Sequence, residues 1–135
     1  GDQEDGTIYV IRSLSNNPTI KDNRESVHKI GVTGNDVKTR IADAKKDSTF
    51  LLADVEVIAT YKLANINRFK LEKVIHKFLE SAKLEIEIKD RFGHPVKERE
   101  WFLVSLSAID EMVDRIMDGT IGGYYYDVGA AALRR

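Results

Sequence analysis

Thr7-Ile8-Tyr9-Val10-Ile11-Arg12 is a run dominated by β-branched and aromatic residues, preceded by Gly6. Side chains of this kind suit a pleated surface, so the run predicts a β-strand. Asn16-Asn17-Pro18 then reads as a turn or loop, with polar residues continuing to Ser26. Val27 to Gly31 predicts a second short strand, ended by Gly31. The connection between the two is short and lacks helical periodicity, so they are expected to pair antiparallel.

Working outward from this pair, Asn35 or Asp36 can cap a helix running to about Lys46, with Val37, Ile41 and Ala44 inward and Arg40 beside them. Asp54 to Leu63 is rich in Val, Ile and Tyr and predicts a third strand, with Val55, Val57 and Ala59 alternating against Glu56 and Ile58. A long amphipathic helix is expected from about Asn65 to Ala82, its apolar stripe formed by Ile66, Phe69, Val74, Ile75, Phe78, Leu79 and Ala82. Leu84 to Lys89 alternates apolar and charged residues and Trp101 to Val104 is apolar. With Gly93-His94-Pro95 between them the two form a hairpin, unless the first extends the helix. Ser107 and Asp110 read as a capping box, with Ile109, Met112, Val113, Ile116 and Met117 following at helical spacing. The order β-β-α-β-α, then a short strand and helix, describes a small α+β domain. Residues 1–5 are expected to be a flexible start, 6–118 the domain, and 119–135 a tail rich in glycine and tyrosine.

At 135 residues, 42% hydrophobic and 32% charged, the chain has the size and balance of one globular domain. No apolar run approaches the roughly 18 residues that span a bilayer. The absence of cysteine excludes disulfides, zinc-thiolate sites and thiol nucleophiles, and a cytoplasmic location is expected. Net charge is −1, yet residues 6–83 hold 14 Lys and Arg against 9 Asp and Glu, leaving 7 against 13 elsewhere. A basic section joined to an acidic one is compatible with a locally positive face.

Gly6-Thr7-Ile8-Tyr9-Val10-Ile11, Lys29-Ile30-Gly31, Arg40, and Leu71-Glu72 on a long helix together resemble the landmarks of the GIY-YIG nuclease superfamily. The form is most similar to the phage open-reading-frame branch, described as a DNA-binding domain, whose second motif commonly reads K-I-G. A tract like Glu100-Trp101-Phe102 often follows its glutamate helix. The likeness spans residues 6 to about 105. It implies a small antiparallel three-stranded central sheet flanked by helices, acting on double-stranded DNA with one magnesium or manganese ion and no organic cofactor.

The chemistry of the residues agrees. Phosphodiester hydrolysis needs an activated water, neutralisation of charge growing on the phosphate, and help for the leaving oxygen. By resemblance Tyr9 orients or deprotonates the water. A phenol with a pKa near 10 needs a cation beside it for that task, and Lys29, in place of the family's second tyrosine, can supply one. Arg40, with a planar fork suited to phosphate, is expected on the scissile group. Glu72 is expected as the metal ligand, since magnesium keeps most of its waters and often takes one or two carboxylates. His76, four residues on, shares its helix face and is either an ordering group or a bystander. Lys29 and Lys38 are expected as further phosphate contacts. Three departures stand out: Thr7 replaces a glycine, Lys29 a tyrosine, and Ala44 a histidine or tyrosine; the asparagine common after the glutamate helix is also not evident.

Other signals are structural in first reading. His28, His76 and His94 lack zinc spacing, and Gly31 and Gly34 form neither a P-loop nor a dinucleotide fingerprint. Trp101 and Phe102 read as core rather than a DNA wedge, and Tyr124 to Tyr126 as an edge strand or packed tail rather than a base-stacking platform. No zinc-finger or helix-turn-helix pattern is evident. Two alternatives to a metal-dependent endonuclease stay open: a DNA-binding module of the same fold without turnover, and a protein-interaction domain using the acidic C-terminal third.

Overall fold

The computed structural model describes residues 4–135; the first three residues of the expected flexible start lie outside it. Glu4 and Asp5 already belong to the first strand, β1 (Glu4–Ser13), which pairs antiparallel with β2 (Val27–Thr33) on one side and β3 (Val55–Ile66) on the other. The hairpin of β4 (Lys83–Lys89) and β5 (Pro95–Leu103) forms, and β5 pairs with β2. The sheet is therefore five-stranded and antiparallel, in the order β3-β1-β2-β5-β4, where three strands were expected.

β1 and β2 lie inside the sheet and are covered on both faces. Ile8, Val10 and Ile30 point to one core with Phe102, while Tyr9 and Ile11 point to a second with Trp101 and Phe50. That two-sided burial is why the β1 run is apolar throughout instead of alternating. The first core is covered by helix α3 (Arg68–Phe78) and helix α4 (Leu106–Met117). The second is covered by the segment following β2, which holds the short helix α2 (Val37–Ile41) and 3-10 turns at Ala44–Lys46 and Ser48–Phe50. Trp101 is fully buried and its indole N–H donates to the Thr49 carbonyl at 3.0 Å, fastening this segment to the sheet.

Several elements differ from expectation for identifiable reasons. Asn17-Pro18 opens a one-turn helix, α1 (Pro18–Lys21), because Asn17 caps it and proline at the first helical position loses no hydrogen bond. The helix expected to reach Lys46 stops at Ile41 and continues as 3-10 turns. In β3 the register shifts opposite Val10 and Ile11, leaving Ile58 as the extra residue. The bulge reverses the alternation, so Val57 is exposed whereas Ile58, Tyr61 and Leu63 pack on the core. Asn65 adopts φ 55°, and α3 begins only after Asn67, whose side chain accepts from the Lys70 N–H at 3.0 Å. The buried stripe is then Leu71, Ile75 and Leu79, four residues apart, and Phe69 and Val74 face outward. Helix α4 is capped by Ser105, not Ser107; Ile109, Met112 and Val113 are buried, while Met117 is exposed. The stretch after it forms a two-stranded ribbon, β6 (Tyr125–Asp127) with β7 (Ala132–Arg134), and Tyr126 packs into the first core.

His28 on β2 is fully buried, with Nδ1 donating to the Val104 carbonyl at 2.7 Å. Burial pushes its pKa below the ordinary 6.5; the Val104 bond opposes this and the Arg12 charge reinforces it. The unfolded chain therefore takes up this proton at higher pH than the folded one. The stability tied to the neutral ring is complete above pH 6.5 and is lost as pH falls below it. The expected outcome is that His28→Asn, which keeps a donor for Val104, flattens the decline in melting temperature measured between about pH 7.5 and 5.

Candidate functional site

The β2–β5 ladder is short: Val27, His28 and Lys29 pair with Leu103, Phe102 and Trp101, and no pairing continues beyond them. Where the strands part, His76 of α3 fills the gap. Its ring lies 5.4 Å from Phe102, and Nε2 lies 3.1 Å from the Ile30 carbonyl, to which it can donate. Glu72, one turn earlier on the same helix face, sits 3.9 Å from that nitrogen. The site forms around this parting of strands.

Tyr9 leaves β1 toward the second core and is 3% exposed. It pairs with Gly31 across the β1–β2 ladder, and a Cβ built on Gly31 would collide with the phenol ring and hydroxyl. Glycine is required there by close approach. Arg40, at the end of α2, lies near enough for its charge to favour the phenolate. Its guanidinium also lies 4.7 Å over the Phe50 ring and 3.6 Å from the Asp47 carboxylate. Asp47 is held in turn by the Thr49 backbone N–H at 2.9 Å and hydroxyl at 2.7 Å. Partial burial pushes the Asp47 carboxyl up, but the Thr49 bonds and the Arg40 charge outweigh it and keep it ionised below its usual range.

Lys29 is 2% exposed, and its ammonium donates to Glu100 of β5 at 2.6 Å. Glu100 is partly desolvated, which raises its pKa; Lys29, then His76 and Arg40, overcome this and hold it below the ordinary carboxylate range. Lys29 was expected to act on Tyr9, but Glu100 engages it, and the cation at the phenol is Arg40. The Tyr9 pKa is raised above 10.0, first by burial and further by the charges of Glu72 and Glu100, against the lowering effect of Arg40. Tyr9 therefore rests as a neutral phenol at physiological pH.

Tyr9, Lys29, Arg40, Glu72 and His76 thus come together from β1, β2, α2 and α3. Lys38 does not join them; it lines a separate groove with Thr7, Val57, Thr60 and Lys62. Ala44 is buried in the second core and offers the site nothing. Glu100 and Asp47 are members that sequence reasoning did not assign. The signal for Glu100 was present, a carboxylate directly before two aromatics on a predicted strand; nothing local marks Asp47.

Among the described residues no three His, Asp or Glu side chains converge as a metal cage. Nor does any lysine or arginine among them pair with Glu72, whose side chain is 39% exposed. A single free carboxylate open to water has the donor chemistry for one hydrated hard cation such as magnesium, and not for zinc, which takes three or four protein ligands.

The fold and this cluster define a class: a small α+β domain presenting an arginine, a tyrosine and a free carboxylate at a split in its sheet. Residues 6–117 match the T5orf172 domain, and the chain belongs to that family of nuclease-like or DNA-binding domains. It is 37% identical over 116 residues to the uncharacterized protein YeeC of Bacillus subtilis (strain 168), covering 86% of this chain. The match takes up 30% of YeeC, so the chain spans under a third of that relative's length. No solved structure matches the chain. No helix among the described residues is long and apolar enough to cross a membrane.

The Gly31 contact yields a test of how the site is built. Gly31→Ala is expected to displace the Tyr9 ring and to cost about 1–3 kcal/mol of stability, as overpacking does. Chemical denaturation measures the cost, and Tyr9→Phe, which keeps the ring, should show a smaller one.

Proposed function

We propose that the domain is a GIY-YIG-type endonuclease that hydrolyses phosphodiester bonds of double-stranded DNA. One observation carries this reading: Arg40 lies 4.7 Å over the Phe50 ring of the core that also holds Tyr9, and Glu72 on α3 has no lysine or arginine partner among the described residues. A phenol pushed above its ordinary pKa among charged side chains is a feature common at sites that bind a ligand.

Arg40 is placed to bind a non-bridging phosphate oxygen. Its 3.6 Å contact with Asp47 is long for a charge-assisted hydrogen bond, so guanidinium donors remain for a phosphate. Asp47 and the Phe50 ring hold the guanidinium plane in position. The Tyr9 hydroxyl orients the attacking water. Because the phenol rests neutral, it positions that water before it can take a proton; neutralising Glu72 removes one of the charges that keep it protonated. A magnesium or manganese ion at Glu72 would supply charge neutralisation and a more acidic water. His76 positions Glu72 while braced by the Ile30 carbonyl and Phe102. Lys29 serves by fixing Glu100, since its buried ammonium is already paired.

A DNA-binding module without turnover is the second reading. Burial of Ala44 favours it, because the position where related sequences carry histidine or tyrosine lies within the core.

Supercoiled plasmid incubated with magnesium, manganese or chelator separates the two. The endonuclease reading expects metal-dependent nicking, reduced about 10²–10³-fold by Arg40→Ala, as for loss of one preorganised donor. Glu72→Gln should abolish the metal dependence, with melting temperatures showing that both variants fold. Salt-sensitive binding without nicking in either metal would sink the endonuclease and establish the module.

A further inference from the structure

A second cationic surface lies at the turn of the β4–β5 hairpin. Lys45, Lys46, Lys89 and Arg91 line an open groove of about 760 Å³ together with one carboxylate, Asp90, and one exposed aromatic, Phe92. Asp90 is committed to the turn. It accepts from the backbone N–H groups of Phe92 at 2.8 Å and His94 at 2.9 Å, and lies 3.6 Å from the His94 ring nitrogen. Lys45 has only an exposed contact with Asp54 at 3.4 Å, and Lys46, Lys89 and Arg91 make no ion pair among the described residues. The groove therefore concentrates positive charge in a chain whose net charge is −1.

Phe92 is the second observation. It is 67% exposed at the tip of the turn, covered only by the Arg91 guanidinium 4.7 Å over its ring and by His94. The ring contributes nothing to either core, and an apolar side chain at the head of a basic hairpin is suited to enter a nucleic-acid groove.

The groove is joined to the site along the chain. Lys46 directly precedes Asp47, which holds Arg40. Along β5 the hairpin turn at Pro95 stands five residues from Glu100, about 16 Å at roughly 3.3 Å per residue. A duplex advances about 3.4 Å per base pair, so that span corresponds to roughly five base pairs.

We infer that this groove grips the phosphate backbone of duplex DNA about five base pairs from the bond held at Tyr9, Arg40 and Glu72, with Phe92 wedged between base steps from the minor groove. The inference rests on the DNA-acting reading above and adds to it a second contact that fixes how the duplex lies.

The test uses a fluorescently labelled duplex of about 20 base pairs, in chelator so that nothing is cut, with binding followed across a salt series. Combining Lys46→Ala, Lys89→Ala and Arg91→Ala is expected to weaken binding at least tenfold and to lower the slope of log affinity against log salt by about 3. Arg40→Ala should lower it by about 1. Phe92→Ala should leave the slope unchanged but abolish the rise in 2-aminopurine fluorescence that unstacking produces in the wild type. An unchanged slope in the triple variant overturns the groove while leaving the Arg40 site standing. Phe92-dependent binding that is tighter on a single strand overturns the duplex assignment. Failure of the wild type to bind DNA at low salt overturns both readings together.

Discussion

A lysine ammonium inside a sheet covered on both faces must have a partner, and the Lys29–Glu100 pair meets that constraint. Leaving the Lys29 charge alone in so little water costs stability, whereas Glu100, 45% exposed, keeps much of its hydration. The contact spans the point where β2 and β5 cease to pair, so it fixes where the two strands part. The parting exposes the Ile30 carbonyl, His76 takes that acceptor, and α3 is held with Glu72 beside the opening. Without the ion pair, a carboxylate from β5 and one from α3 would have no reason to lie near the same phenol.

The other half of the site is built from the opposite face. Trp101 and Phe50 anchor the segment after β2, and through it Asp47 orients Arg40 over the aromatic ring. Tyr9 lies between these supports, pressed against Gly31 and kept neutral by burial and by the two glutamates. The cluster thus holds two paired cations, Lys29 and Arg40, and one carboxylate, Glu72, with no lysine or arginine partner among the described residues.

The strands and helices were legible because their signals are local. The β1 and β2 runs, the Asp36-capped start of α2 and the hairpin turn each announce themselves within a few residues. Tyr9, Arg40 and Glu72 were legible through resemblance, and the structure brings them together. What failed did so through a cap and a bulge that hydrophobicity alone does not reveal. Phe69 and Val74 look like core on hydrophobicity alone, but the Asn67 cap and the Leu71-Ile75-Leu79 spacing turn them to solvent. Val57 lost its expected burial to a bulge dictated by pairing with β1.

By itself the sequence determined the α+β class and the antiparallel β1–β2 pair. Those properties follow from periodicity, capping and side-chain chemistry, which act over a few residues. Only the tertiary structure decided that Lys29 serves Glu100 instead of Tyr9, that Arg40 supplies the cation at the phenol, that Lys38 stands apart, and that β4 and β5 widen the sheet. Each depends on which charges end up within a few ångströms once water is excluded, and burial of that kind exists only after distant strands have met.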